Sequence, residues 1–269
     1  MPDRPEGRPR RWWQGLLTVP GVVAVTALTA VVSWIATQAV SQVGSNLASR
    51  DPLALSIETN PSRIGGFDDL PILAVIPDGV RTTGSPGPGC EGFHLWVRGL
   101  GGVDAGSTKL QLVVQGKVAD PVLISAMRVK VLERLPRVTG VPVQCPPAAE
   151  AQIRAVAIDL DAIPPRVTYR SGSNRAFGFT VQEGETESFN VVASTRRAHY
   201  RWLLELDLVV SGKKRTIELS DGGRPFETTP TTGRAWWSWN YRDAWSLEAP
   251  ELHLPTRTVP AGAPLPSMS

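Results

Sequence analysis

The residues able to do chemistry are scattered along the chain. The histidines, His94, His199 and His253, each stand apart from any second ligand at metal-binding spacing, and neither HExxH nor CxxC occurs. A zinc centre or general base would have to be assembled by the fold, so each histidine reads first as structural or surface. Carboxylates come closer to a pattern in Asp68-Asp69, Asp159-x-Asp161 and Glu205-x-Asp207. Residues two apart on a strand share a face, so each of the last two pairs could present two carboxylates together for acid–base work or a cation. Glu205 and Asp207 alternate with Leu204, Leu206 and Leu208, the signature of a strand with one wet face. Asp159 and Asp161 end a run but lack the other oxygen ligands of a calcium loop. There is no G-x-S-x-G elbow, no S-x-x-K with its partner motifs and no cysteine–histidine signature. No catalytic residue, metal ligand or cofactor is assigned.

Two further stretches carry recognition chemistry or imitate it. Gly99 to Gly106 (Gly-Leu-Gly-Gly-Val-Asp-Ala-Gly) matches a phosphate loop only in its glycine count. Without a Lys-Ser/Thr pair or a following helix it reads as a flexible inter-strand loop. The other is Trp236-Trp237-Ser238-Trp239-Asn240-Tyr241-Arg242-Asp243-Ala244-Trp245. On an extended segment Trp237, Trp239 and Tyr241 share one face, and with Arg242 and Trp245 they are candidate binding residues, a platform for sugar, peptide or a partner surface. The competing account is a last strand whose aromatic face covers the domain's own core, since large aromatics usually bury area at home. A belt at a bilayer edge is a third reading.

The elements that would position these residues are mostly short. Runs rich in β-branched and aromatic residues span 53–58, 72–76, 93–97, 109–114, 122–132, 153–160, 167–169, 177–181, 188–193, 200–210 and 215–219, separated by Gly, Pro, Asn and Asp clusters. The best hairpin signal joins Trp202–Val210 to Thr216–Leu219 through Ser211-Gly212-Lys213-Lys214. No run in this region sustains a 3.6-residue period, so the pattern predicts a mainly β fold, an immunoglobulin-like β-sandwich in the loose sense, over residues 53–230. Residues 231–247 are the aromatic segment, expected to pack on that domain, and the proline-rich 248–269 reads as a flexible tail. Pro146-Pro147 and Pro164-Pro165 are candidate seams, but one domain is favoured because Cys90 and Cys145, the only cysteines, could link its strands or loops. In a chain facing an oxidising exterior an even pair reads as a disulfide, with two buried thiols as the alternative. Closing that loop would stabilise the fold by about 4 kcal/mol in the chain-entropy model.

The N-terminal part is of another kind. Trp12 to Ser49 carries no charge, and Leu16 to Val40 is an apolar run long enough for a bilayer core, which needs roughly 20 residues. Arg4, Arg8, Arg10 and Arg11 precede it and Arg50 follows well beyond it, which places the N-terminus in the cytoplasm. The expected layout is a basic tail over 1–14, a transmembrane helix and signal anchor over 15–40 in contact with the lipid bilayer, and a stalk over 41–52, with the remainder extracellular. A cleavable signal ending near Thr37-Gln38-Ala39 is the alternative, disfavoured by the length of the run. A formal charge of +3 over 269 residues excludes the dense basic footprint of a nucleic-acid binder.

The stretches Tyr200-Arg201-Trp202-Leu203-Leu204-Glu205-Leu206-Asp207, Ser211-Gly212 and Ser220-Asp221-Gly222-Gly223-Arg224-Pro225-Phe226-Glu227-Thr228 resemble the C-terminal part of a group of functionally uncharacterised actinobacterial membrane-anchored proteins. The resemblance is concentrated over residues 200–228. It implies a cytoplasmic N-terminal part, one transmembrane helix and an exported β domain, and it transfers no catalytic residue. The expected role is a non-enzymatic envelope module with a cell-wall or protein partner. An anchored hydrolase of wall glycan or peptide is the alternative, and it requires Asp159, Asp161 and the aromatic segment to meet in one groove.

Overall fold

The computed structural model describes residues 51–65, 67, 71–146, 155–170, 177–231, 235–249 and 257–266. The expected cytoplasmic tail, membrane helix and all but the last two residues of the stalk lie outside the described residues, as do Asp68, Asp69 and His253. Among the described residues no helix is long and apolar enough to cross a membrane.

The described residues fall within one compact unit that is mainly β. One sheet has the order β1 (Leu53–Glu58), β4 (Ser107–Gly116), β10 (Thr186–Ser194), β7 (Ala155–Asp159), β8 (Arg166–Arg170). The larger sheet runs β16 (Thr258–Pro260), β15 (Ala244–Glu248), β14 (Trp236–Trp239), β6 (Gly140–Cys145), β2 (Ile72–Pro77), β3 (Val103–Ala105), β13 (Phe226–Thr229), β11 (His199–Val210), β5 (Val122–Leu135), β9 (Phe179–Val181), with β12 (Lys213–Leu219) also paired to β11. Three pairs are parallel, β7 with β10, β3 with β13 and β6 with β14, which sets the arrangement apart from the antiparallel seven-stranded immunoglobulin sandwich.

Two hydrophobic cores follow from the alternation along these strands. Leu110, Leu112 and Val114 of β4 and Phe189 and Val191 of β10 face Trp202, Leu204, Leu206 and Leu208 of β11, so the first core is filled from both sheets. The opposite face of the smaller sheet is partly covered as well: Asn190, on the outer side of β10, donates to Gly65 O at 2.9 Å, and Ile64 and Phe67 are buried nearby in sequence. The second core lies on the other half of the larger sheet, where Ile76, Val141 and Val143 pack with Trp237, Trp239 and Trp245 and with Phe93 and Val97 of a helix.

That helix, α1 (Phe93–Gly99), corrects the expected strand at 93–97. Phe93 and Val97 are one turn apart and point into the second core. The Gly-rich run after it is a stop signal: Gly101 has φ of 69°, its N–H donates to Arg98 O, and Gly102 N–H donates to Val97 O at 2.8 Å, a Schellman motif. The flexible inter-strand loop expected over Gly99–Gly106 is corrected as well, because Gly99 belongs to the helix and Val103–Ala105 is the buried strand β3. The tail is corrected too. Thr258–Pro260 pairs with β15, and Leu265 is buried with its N–H donating to Thr82 Oγ1 at 2.6 Å, because Val259 and Leu265 complete the second core.

Candidate functional site

Parallel pairing brings the C-terminal ends of β7 and β10 side by side, with Asp159 opposite Ser194. The loops that follow them and the start of β8 border an open cleft of about 570 Å³, lined by Asp159, Asp161, Arg166, Thr168, Arg196 and Arg197 among others. Both aspartates singled out by their spacing therefore sit in it, but their oxygens hold the loops. Asp161 accepts Thr195 Oγ1 (2.9 Å) and the Tyr200 hydroxyl (3.2 Å) on one oxygen and the Arg196 N–H (2.7 Å) on the other. Asp159 accepts the Asp161 N–H (3.0 Å) and Arg166 Nη2 (3.3 Å). Burial first, then the Asp161 charge, raises the Tyr200 hydroxyl above the usual tyrosine range, so it stays protonated and donates. The Arg134 guanidinium lies 5.8 Å from the centre of the Tyr200 ring.

The aromatic segment is elsewhere and is not a surface. Trp237 and Trp239 do share a face of β14, but these residues are only 1% and 0% exposed, and Trp245 is 1% exposed. The Trp245 ring centre lies 5.0 Å from that of Trp239 and 5.1 Å from that of Trp96, in tilted contacts, so these rings fill the second core. Their indole N–H groups reach backbone: Trp237 donates to Pro266 O and Trp239 to Gly87 O. Tyr241 lies past the strand end in a turn with φ of 71° and donates to Pro146 O, while Arg242 alone of the five is exposed. Packing explains the outcome, since each indole carries a large apolar area that the second core removes from water. Trp237 and Trp239 line no part of the Asp159/Asp161 cleft.

The remaining candidates are tied into the fold. Glu205 and Asp207 form the wet face of β11, where Arg128 of β5 pairs with both, at 3.4 and 2.6 Å. His199 Nε2 is 3.0 Å from Glu227, which also receives Arg201. His94 is buried on α1, and burial lowers its pKa. No group of three or more His, Cys, Asp or Glu able to hold a metal occurs among the described residues. Cys90, in the turn before α1, is bonded to Cys145 at the end of β6, as expected. No family model, curated protein or solved structure matches the chain.

Three arginines of the cleft escaped the sequence reading. Arg166 stands alone in sequence, and the only local signal was the pair Arg196-Arg197 next to a turn. Their convergence comes from the parallel β7–β10 pairing, which no local pattern announces.

Proposed function

We propose that this chain is a single-pass envelope protein, anchored by residues 15–40 with its N-terminus in the cytoplasm, whose exported β-sandwich binds a ligand or partner and performs no reaction. The sandwich is immunoglobulin-like only in its layering. The observation that carries this reading is the Cys90–Cys145 disulfide, which ties the turn before α1 to the larger sheet. Such bonds persist in oxidising compartments and are rare in the cytosol. It agrees with the uncharged stretch from Trp12 to Ser49 behind an arginine-rich N-terminus and with the resemblance over 200–228. The hydrolase alternative loses its motivation, because it needed the aromatic face beside Asp159 and Asp161, and those rings lie in the second core.

The reading is tested by maleimide-polyethylene-glycol labelling of the full chain in intact cells of its host, with and without reductant, alongside protease added from outside. Export predicts no labelling before reduction, two labels after it, and loss of the domain to external protease. Ready labelling without reductant, or protection until the cells are lysed, would overturn it.

A further inference from the structure

Charge in the cleft is unbalanced in a directed way. Arg166 shares the Asp159 carboxylate at 3.3 Å, and both Asp161 oxygens are taken by Thr195, Tyr200 and the Arg196 backbone. The Arg196 and Arg197 side chains are exposed and lie in no ion pair among the described residues, and the donors on Asp161 are neutral, so three arginines against two aspartates leave the lining with one net positive charge. Their backbone is held: Arg196 N–H donates to Asp161, and Arg197 N–H donates to Thr195 Oγ1 at 3.3 Å. Thr168 and Ser194, both exposed, add hydroxyl donors to the lining. Guanidinium is a planar fork of donors matched to phosphate oxygens, and a pre-ordered loop loses less entropy when it binds.

We infer that the cleft at the ends of β7, β8 and β10 binds a phosphate group, held by Arg196 and Arg197 with Arg166 and the two hydroxyls in support. This deepens the binding role proposed above by naming the ligand class, and it rests on that reading. The phosphate has two sources. It could belong to an anionic polymer outside the cell or to a lipid headgroup. The chain enters the described unit at Leu53, opposite Gly116 on β4, while Ser107 at the other end of β4 lies opposite Ser194. The cleft is therefore at the end of the smaller sheet remote from chain entry. Ile163, 88% exposed in the loop between β7 and β8, would be the residue to touch acyl chains if the source were lipid.

The test is calorimetric titration of the full chain, held in phosphatidylcholine nanodiscs, with sodium polyphosphate and separately with monomeric dihexanoyl-phosphatidylglycerol. Saturable, salt-sensitive binding is expected, weakened about tenfold or more in Arg196→Gln/Arg197→Gln. Arg128→Gln, which removes a guanidinium already paired with Asp207 on the larger sheet, should leave it unchanged. Unaltered circular dichroism and melting of the double variant separate loss of the site from loss of the fold. Preference for polyphosphate, indifferent to Ile163→Ser, assigns the phosphate to a polymer. Preference for the lipid, reduced by Ile163→Ser, assigns it to a headgroup. Equal affinity in the arginine double variant, or binding of neither probe, overturns the inference, and the labelling experiment then still decides export on its own.

Discussion

His94 is the second residue of α1, 5% exposed, with Asp104, Asp221 and Glu58 near enough to favour its proton and Arg98 opposing it. Burial outweighs the carboxylates, so the folded protein holds a neutral imidazole at a pH where the unfolded chain has begun to protonate. A folded pKa below the unfolded value means that its stabilising effect is complete above about pH 6.5 and is lost as pH falls toward the folded value. Urea midpoints measured from about pH 7.5 down to 5 should therefore decline, and His94→Gln should flatten that decline whatever it does to the midpoint at neutral pH. An unchanged slope in the variant would place the sensitivity in another group. Asp207 is not that group, because hydrogen bonds from Arg128 hold its carboxyl below the ordinary carboxylate range. Its contribution is present above the ordinary value and disappears only as the pH falls through its lowered pKa. The same logic of commitment explains the cleft aspartates: spacing brought Asp159 and Asp161 to one place, and hydrogen bonding then assigned them to loop architecture.

Glycine spacing around α1 separates two roles at the scale of an element. Gly99 closes the helix with helical φ and open space where a Cβ would stand, whereas Gly101 adopts φ of 69° at the position that ends it. Gly99→Ala should stabilise by about 0.5–1 kcal/mol through the unfolded chain, and Gly101→Ala should destabilise by about 1–2 kcal/mol through left-handed strain. Thermal midpoints should move in opposite directions by about 2–4 °C per kcal/mol for a unit of this size. Equal effects would mean that the helix end relaxes into another cap. The element also shows what periodicity can and cannot reveal. The hairpin after β11 was legible because Ser211 and Gly212, φ 48° and 73°, form a two-residue turn between alternating strands, closing two residues earlier than the expected four-residue link. Leu53–Glu58 was legible to the residue. A seven-residue helix is too short to display a period, so α1 read as a strand, and β6, whose two valines are separated by Pro142, was missed. Trp237 and Trp239 were legible as one face of a strand, but whether that face met water or a core depended on the distant Phe93 and Leu265.

At the scale of the whole molecule the two cores are joined through a narrow place. β3 is three residues long, and among the described residues it alone carries the larger sheet across, pairing with β2 through Val103 and Asp104 and with β13 through Asp104 and Ala105. All three residues are buried, and Arg98 of α1 pairs with Asp104 at 3.0 Å, so the helix grips the bridge from the side of the second core. Thr108 and Thr228, hydrogen-bonded at 2.7 Å, and Trp202 Nε1, which donates to Thr228, grip it from the first. A junction this short but this buried should transmit unfolding, because exposing either core strands Asp104 or Thr228 without its partners. Calorimetry and near-ultraviolet circular dichroism should therefore report one coincident transition. Trp202→Ala, in the first core, and Trp237→Ala, in the second, should each lower that same transition by about 3–5 kcal/mol, the usual cost of emptying a buried indole site. Two separable transitions, each sensitive to only one of the tryptophans, would show that β3 yields first, and the unit would then behave as two folding modules sharing one sheet.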